Sequence, residues 1–567
     1  MAMQSPPRLT LPLLLVVAPL TCGALAVWPM LALGSFIPVV GLFSLTSLLT
    51  CTAFIYLALP ATLHLLFSQD HRSQKRFWLP FRLPRLPLFA HGALAPMQLT
   101  HTFLRLVWQG YRASLLSLFF DSIAKRILIL GGLDSAKILK ENIVYLAALD
   151  PGGAPSKRLN VYFPDDRTRA ASDSHAAPVI VLITSPSYRF LSSKQFPSAQ
   201  IALRLRRLGY CVVVPDITSF PDADLERMVY ELRECLKWVM NSISSYRGDK
   251  ERVWILGQGA GAHIAALTVV QSAVVASRNQ ELSDRRERDE ARTKMEHRVE
   301  MDSDQGGQEP LHLDDSLDLF LEDRRHGNHD KEHRFHRLKR RSSTDSSIDS
   351  DGPASITSRR TVELPPIVEA CRTFSGQSGS HDQPETHGMS VSNWGEMRIR
   401  GLILSGGCYD VVKQLKRERE LGLSEVSALQ RICGRTETDA ELASPCHLLY
   451  AASSLLAAPS TPGLLPPNVL LVHGGRDHIV PYSQSVLFKN LLVGVGLDEN
   501  NVELRLYREE SGIGSLTSLM HSTKYSGLVL SEIESIISND SLADPDGRFS
   551  IATRKGTTRK RERSRRL

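Results

Sequence analysis

Residues 253–266 read VWILGQGAGAHIAA. Four apolar residues run into a G-x-X-x-G turn, and an apolar helical pattern follows. A strand, sharp turn and helix in this order can project a serine from the turn, where its hydroxyl attacks a carbonyl carbon. The chemistry implied is acyl transfer. It would also require a histidine base, a carboxylate to hold that base, and two N–H donors for the oxyanion. Here the five turn residues are Gly257, Gln258, Gly259, Ala260 and Gly261, so the nucleophile position holds Gly259, which has no side chain. Glycine has a physical reason to stand there. The turn strains the backbone of any residue with a Cβ, and glycine relieves that strain.

Such a turn needs a sheet behind it, and the flanking sequence supplies one. Strands are expected at 160–163, 179–184, 211–216, 253–256, 399–406, 468–474 and 501–507, with helices at 197–208, 222–243, 260–276, 482–494 and 519–538. Strands alternating with helices indicate a parallel α/β sheet. The chain has 567 residues, more than one such core needs. The folded pieces are expected at 151–277 and 396–539. Between them, 278–395 is charged, Ser-rich and poor in aromatics, a composition expected to stay disordered. Its Lys339-Arg340-Arg341 run before Ser342 and Ser343, and Asp349 after Ser346, mark those serines as candidate phosphorylation sites. Phosphate there would dock or release a basic segment. The tail at 540–567 is basic and expected to be disordered.

The N-terminus is of another kind. No Asp, Glu, Lys or Arg occurs from Leu9 to Leu63, a length sufficient for two spanning helices near 9–28 and 40–67. Residues 1–70 are therefore expected to form a membrane anchor. A signal peptide ending near Ala24-Leu25-Ala26 is the competing reading. Arg72, Lys75, Arg76, Arg82 and Arg85 follow, and the positive-inside rule puts that collar in the cytosol. Within 71–150, apolar and basic residues from 101 to 130 suggest an interfacial amphipathic helix. The eight cysteines are scattered without a C-x-x-C, which gives neither a disulfide framework nor a metal site. No cofactor and no nucleic-acid partner is expected.

Three stretches together resemble one family: YRGDKERVWILGQGAGAHIAALTVVQ, GLILSGGCYDVVKQLKRERELGLSEVSALQRICG and VLLVHGGRDHIVPYSQSVLF. They look like the isoprenylcysteine methylesterase and kynurenine-formamidase branch of the α/β-hydrolases. The resemblance implies an α/β-hydrolase fold and hydrolysis of esters or amides. It matches Asp477 to the carboxylate that orients the catalytic histidine. It places the histidine near Leu516 or Thr517, with His521 about one helical turn later. It makes Ser185, Ser187, Gln258 and Ala260 the candidate oxyanion and pocket residues. Where the family has glycines in its oxyanion loop, this chain has Ser185-Pro186-Ser187-Tyr188-Arg189, and Pro186 has no N–H to donate. His263, after the elbow, is expected to pack or bond locally, and Cys408 to lie in the core.

Three functions are compatible with these residues. The first is a membrane-anchored pseudoenzyme, without catalysis in the family's sense, that binds a lipid, a prenylated ligand or a protein partner. The second is an active hydrolase of apolar, membrane-derived esters or amides that uses Asp477, His521 and a rearranged nucleophile. The third is a tether whose charged insertion does the work. The expected location is the endoplasmic reticulum membrane, with the folded domain facing the cytosol.

Overall fold

The computed structural model describes residues 10–35, 38–67, 95–112, 135–147, 156–165, 176–191 apart from 186 and 190, 196–303, 399–512 apart from 425, 435 and 458–462, then 519 and 526–542. Three helices come first: α1 (Thr10–Gly34), α2 (Pro38–Phe67) and α3 (Ala95–Arg112). Then follow β1 (Leu139–Leu146), β2 (Lys157–Tyr162), β3 (Ala177–Ser185), α4 (Phe196–Arg207), β4 (Cys211–Pro215) and α5 (Leu225–Ser242). Next come β5 (Gly248–Gly259) and α6 (Ala260–Ser303), then β6 (Ile399–Ser405). Four short helices precede the next strand: α7 (Val411–Glu420), α8 (Leu429–Cys433), α9 (Glu437–Leu442) and α10 (Pro445–Ala451). The domain closes with β7 (Asn468–Gly474), α11 (Ser483–Gly494), β8 (Val502–Tyr507) and α12 (Ser526–Leu542).

The strands form one sheet in the order β1-β2-β4-β3-β5-β6-β7-β8. β2 runs antiparallel to β1 and β4, and β3 to β8 are mutually parallel. The central strands are apolar on both sides because helices cover both faces. Val253 and Ile255 of β5 face α5, α6 and α11, and Trp254 and Leu256 face α4 and α12. This mixed sheet with helices on both faces is the expected α/β-hydrolase arrangement.

Helix α6 can leave β5 so sharply because two glycines let the backbones meet. A Cβ on Gly261 would lie 2.0 Å from the carbonyl oxygen of Ile183 in β3, and one on Gly257 would lie 2.6 Å from the Cα of Ala262. The obstacles are main-chain atoms, which cannot rotate away.

Three expectations need correction. Residues 278–303, expected to be disordered, continue α6 to Ser303. The extension is exposed and carries Arg285–Glu281 and Arg292–Glu296 pairs four residues apart. Alternating Glu, Arg and Lys are good helix formers, and such pairs support a solvated helix that has no core to bury. The remaining insertion, with Ser342, Ser343 and Ser346, lies outside the described residues. Second, the stretch 71–150 was expected to hold only the collar and a helical region, yet β1 lies within it and pairs with β2. β1 keeps one edge in solvent, so its sequence lacks the apolar run that marks the central strands. Third, α12 extends to Leu542, into the segment expected to be a disordered tail.

Helices α1 and α2 pack against each other antiparallel. Thr21 Oγ1 lies 3.1 Å from Thr62 Oγ1, and Trp28 Nε1 donates to Thr52 Oγ1 at 2.9 Å. Paired hydroxyls between uncharged helices suit a setting without water. Outside that seam, Leu20, Met30, Leu33, Leu45 and Leu49 are exposed.

The helices between β6 and β7 bury two carboxyl groups in opposite ways. Asp410 caps α7 by accepting from the Lys413 N–H at 3.0 Å. Burial would raise its pKa, but bonds from His447 and Lys413 outweigh burial and hold it at about 2. Glu418, near the other end of α7, is bonded only by the neutral side chains of Ser427 and Gln414. Its Oε2 is buried without a hydrogen bond among the described residues, and burial pushes the carboxyl up to about 7 against the pull of Ser427 and Gln414.

Two predictions follow from this packing. Gly261→Ala should destabilise the domain by about 3 kcal/mol, because overpacking against backbone forces α6 off the sheet; urea unfolding of the detergent-solubilised chain measures it. A carboxyl whose folded pKa is raised gives stability that is complete below its unfolded pKa and is lost as pH rises through the folded value. The stability of Glu418→Gln relative to the native chain should therefore grow from about pH 4.5 to pH 7, by up to roughly 3 kcal/mol. A pH-independent difference would show that Glu418 titrates normally.

Candidate functional site

The candidate site lies where β5 gives way to α6. Gly259 has φ of 60°, the left-handed region, so the turn has the geometry in which a nucleophile is displayed. A residue with a Cβ at this φ costs roughly 1–2 kcal/mol. The conformation is thus retained without the serine that would exploit it.

Across the sheet, Ser185 at the end of β3 is the register partner of Gly259. It is fully buried, and its hydroxyl is committed locally. It donates to the carbonyl of Ser187 and accepts from the Ser187 N–H at 3.2 Å. Ser187 Oγ in turn accepts from the Arg189 N–H at 3.3 Å. Neither serine has a base beside it among the described residues. The same bonds bear on the oxyanion hole. The Ser187 N–H already has its acceptor, and residue 186 is a proline. Ala260, at the start of α6, keeps the position of the donor that follows the nucleophile. Gln258 does not join it. By strand alternation its side chain falls on the face of Trp254 and Leu256, beside its register partners Thr184 and Ser405. There its buried Oε1 has no hydrogen-bond partner among the described residues.

The loop after β3 is held instead by a tyrosine and a histidine. Tyr188 Oη lies 2.7 Å from His263 Nδ1, and His263 Nε2 lies 2.7 Å from the Ala443 carbonyl oxygen. A carbonyl only accepts, so Nε2 carries the proton and Nδ1 accepts from Tyr188. Burial lowers the His263 pKa to about 4 and raises that of Tyr188 well above its ordinary value, so both are neutral. With both ring nitrogens bonded, His263 ties this loop to the end of α9 and is not a free base. The sequence leads one to expect packing or a local bond, whereas the partners lie 75 and 180 residues away in the chain, and Tyr188 gave no sequence signal.

Asp477 lies in the loop after β7. Its Oδ1 accepts from the N–H groups of Ile479 and Val480, each at 3.0 Å. Its Oδ2 faces Gly512, where a Cβ would be 2.4 Å away. One oxygen therefore builds its own loop, and the other meets the segment after β8. Burial raises the Asp477 pKa, opposed by His473 and the loop amides. His521, Leu516 and Thr517 lie outside the described residues.

His473 is a buried histidine that the sequence reading passed over. Its Nδ1 is 2.8 Å from Ser485 Oγ and its Nε2 is 2.9 Å from the Val480 carbonyl, while Asp477 Oδ2 is 3.9 Å from Nε2. By the tautomer argument used for His263, Nε2 donates to Val480, and His473 fixes the Asp477 loop. A histidine at the end of an apolar strand, four residues before an aspartate, was the available signal. Cys408 is buried in the core, as expected. Among the described residues no three His, Cys, Asp or Glu side chains are grouped to hold a metal.

Comparison with known proteins accords with this geometry. The family model described as BD-FAE matches residues 159–303. The chain is 35% identical over 123 residues to the protein named Probable isoprenylcysteine alpha-carbonyl methylesterase ICMEL1 of Oryza sativa subsp. japonica, covering 22% of this chain and 27% of that one. It is 28% identical over 148 residues to Isoprenylcysteine alpha-carbonyl methylesterase ICME of Arabidopsis thaliana, covering 26% of this chain and 31% of the relative. The match thus spans under a third of either relative. Among solved structures, Esterase B from Lactobacillus Rhamnosis aligns over 76% of this chain and 97% of its own, at 12% identity and a TM-score of 0.39. With its elbow and its sheet order the chain has the α/β-hydrolase fold, and over part of its length it is similar to proteins of the isoprenylcysteine methylesterase branch.

Proposed function

We propose that this chain is a membrane-anchored pseudoenzyme of the esterase type, whose site holds a lipid or protein partner in place of an ester under attack. The observation that carries the reading is Gly259 at φ 60°, the turn of a nucleophile without the nucleophile. The surrounding bonds support it. Ser185 and Ser187 are tied into their own loop, His263 has both ring nitrogens engaged, and the Ser187 N–H is already bonded. Asp477 has a structural role that explains its presence without catalysis. The membrane part of the reading rests on α1 and α2, which carry no Asp, Glu, Lys or Arg and expose Leu20, Met30, Leu33, Leu45 and Leu49. The basic collar favours a cytosolic domain, with the endoplasmic reticulum as the proposed membrane and a prenylated or other apolar molecule as the proposed ligand.

The direct test is hydrolysis of aryl, acyl and prenylcysteine methyl esters by the purified chain beside Asp477→Ala. No turnover above that of the variant is expected. The variant should still lose about 2–4 kcal/mol of stability, since two loop N–H groups lose a charged acceptor. Turnover that disappears in Asp477→Ala would establish the active hydrolase instead, with a displaced nucleophile and His521 as its base.

Restoring the missing side chain is the complementary test. Gly259→Ser should lower stability by roughly 1–2 kcal/mol through the left-handed turn and confer no esterase activity. A gain of turnover abolished by His521→Ala would show that the base and oxyanion donors have survived and that the serine alone was lost.

A further inference from the structure

Helix α3 joins the N-terminal helices to the edge of the degenerate site. On one side, Leu99 and Phe103 pack with Ile55 and Leu59 of α2 and with Leu423 and Val426 from the loop after α7. Thr102 Oγ1 donates to the Leu421 carbonyl at 3.2 Å. Farther along, the charge of Arg105 acts on His478, the residue after Asp477, and adds to burial in lowering its pKa. Gln414 of α7 donates to the Ile479 carbonyl at 2.9 Å, so α3 is joined through α7 to the Asp477 loop. These loops border the site: Tyr188 bonds to His263, which bonds to Ala443 among the helices after β6, and Asp477 faces the segment after β8.

Elsewhere α3 exposes apolar side chains next to polar ones. Leu104, Val107 and Trp108, spaced three and four apart, are 37%, 52% and 60% exposed. They share a connected stretch of chain with the exposed apolar residues of α1 and α2. The segment joining α2 to α3 carries Arg72, Lys75, Arg76, Arg82 and Arg85 against a single acid, Asp70, and Arg105 and Arg112 lie on α3 itself. Apolar side chains close in sequence to long basic ones suit the boundary between acyl chains and anionic headgroups, where the stems lie in the apolar zone and the charges reach water.

We infer that α3 lies in the membrane–water interface and seats the edge of the degenerate site, between Leu421 and Asp477, against the lipid surface. This rests on the membrane anchoring proposed above and adds that the site itself is apposed to the bilayer. A tethered domain free in the cytosol would leave α3 in water.

The test places the photoreactive residue p-benzoylphenylalanine singly at Leu33 of α1, Val107 of α3 and Tyr450 of α10 in the full-length chain. Each protein is reconstituted into phosphatidylcholine–phosphatidylserine vesicles, irradiated, and searched for lipid adducts by mass spectrometry. Adducts are expected at positions 33 and 107 and not at 450, although Tyr450 is 70% exposed. Adducts at 33 without any at 107 would overturn the inference and leave the anchor standing. Absence at both would overturn the anchor and the inference together. Adducts of position 107 to protein in place of lipid would overturn it in favour of a second copy of the chain.

Discussion

The close approach of α6 to β3 and β5 is the constraint on which the fold depends. Gly261 brings the helix backbone against the Ile183 carbonyl, and Gly257 lets the turn close on Ala262. These contacts are main chain to main chain, so they survive any change of chemistry at the turn. That explains a chain that keeps both flanking glycines and the left-handed turn while the central residue has become Gly259. The flanking glycines serve packing, and packing is still required. The central serine of a hydrolase serves chemistry and bears backbone strain, so once no reaction needs it, glycine is the less costly occupant.

The rest of the site follows the same division. Among the described residues, the polar groups of the site also hold structure. Asp477 builds its loop through two N–H bonds, and His473 fixes that loop from beneath. His263 fastens the β3 loop to the helices between β6 and β7 through Tyr188 and Ala443. Polar side chains in a catalytic pocket are ordinarily held available for a substrate. Here most of them bond to backbone groups of their own or neighbouring loops, which rigidifies those loops.

The helices above the sheet connect this site to the N-terminus. Helix α7 starts at the tightly held Asp410 and carries the poorly solvated Glu418, and the loop beyond it receives α3. The N-terminal helices, α3 and the loop after α7 thus pack in sequence.

Much of this was determined by the sequence alone. The buried strands, the glycine pattern of the turn, the missing serine, the proline in the oxyanion loop and the long uncharged N-terminus are local signals, legible because apolar runs and glycines act on their immediate neighbours. The tertiary structure decided what depends on distant partners. β1 is a strand because β2 lies beside it, although its own pattern is weak. Residues 278–303 are helical because α6 is already nucleated in the core and its charged continuation needs only to propagate. Whether Ser185, His263 and Asp477 are free to react is a question of hydrogen-bond partners up to 180 residues away in the chain, as for His263 and Ala443, and no local pattern encodes those.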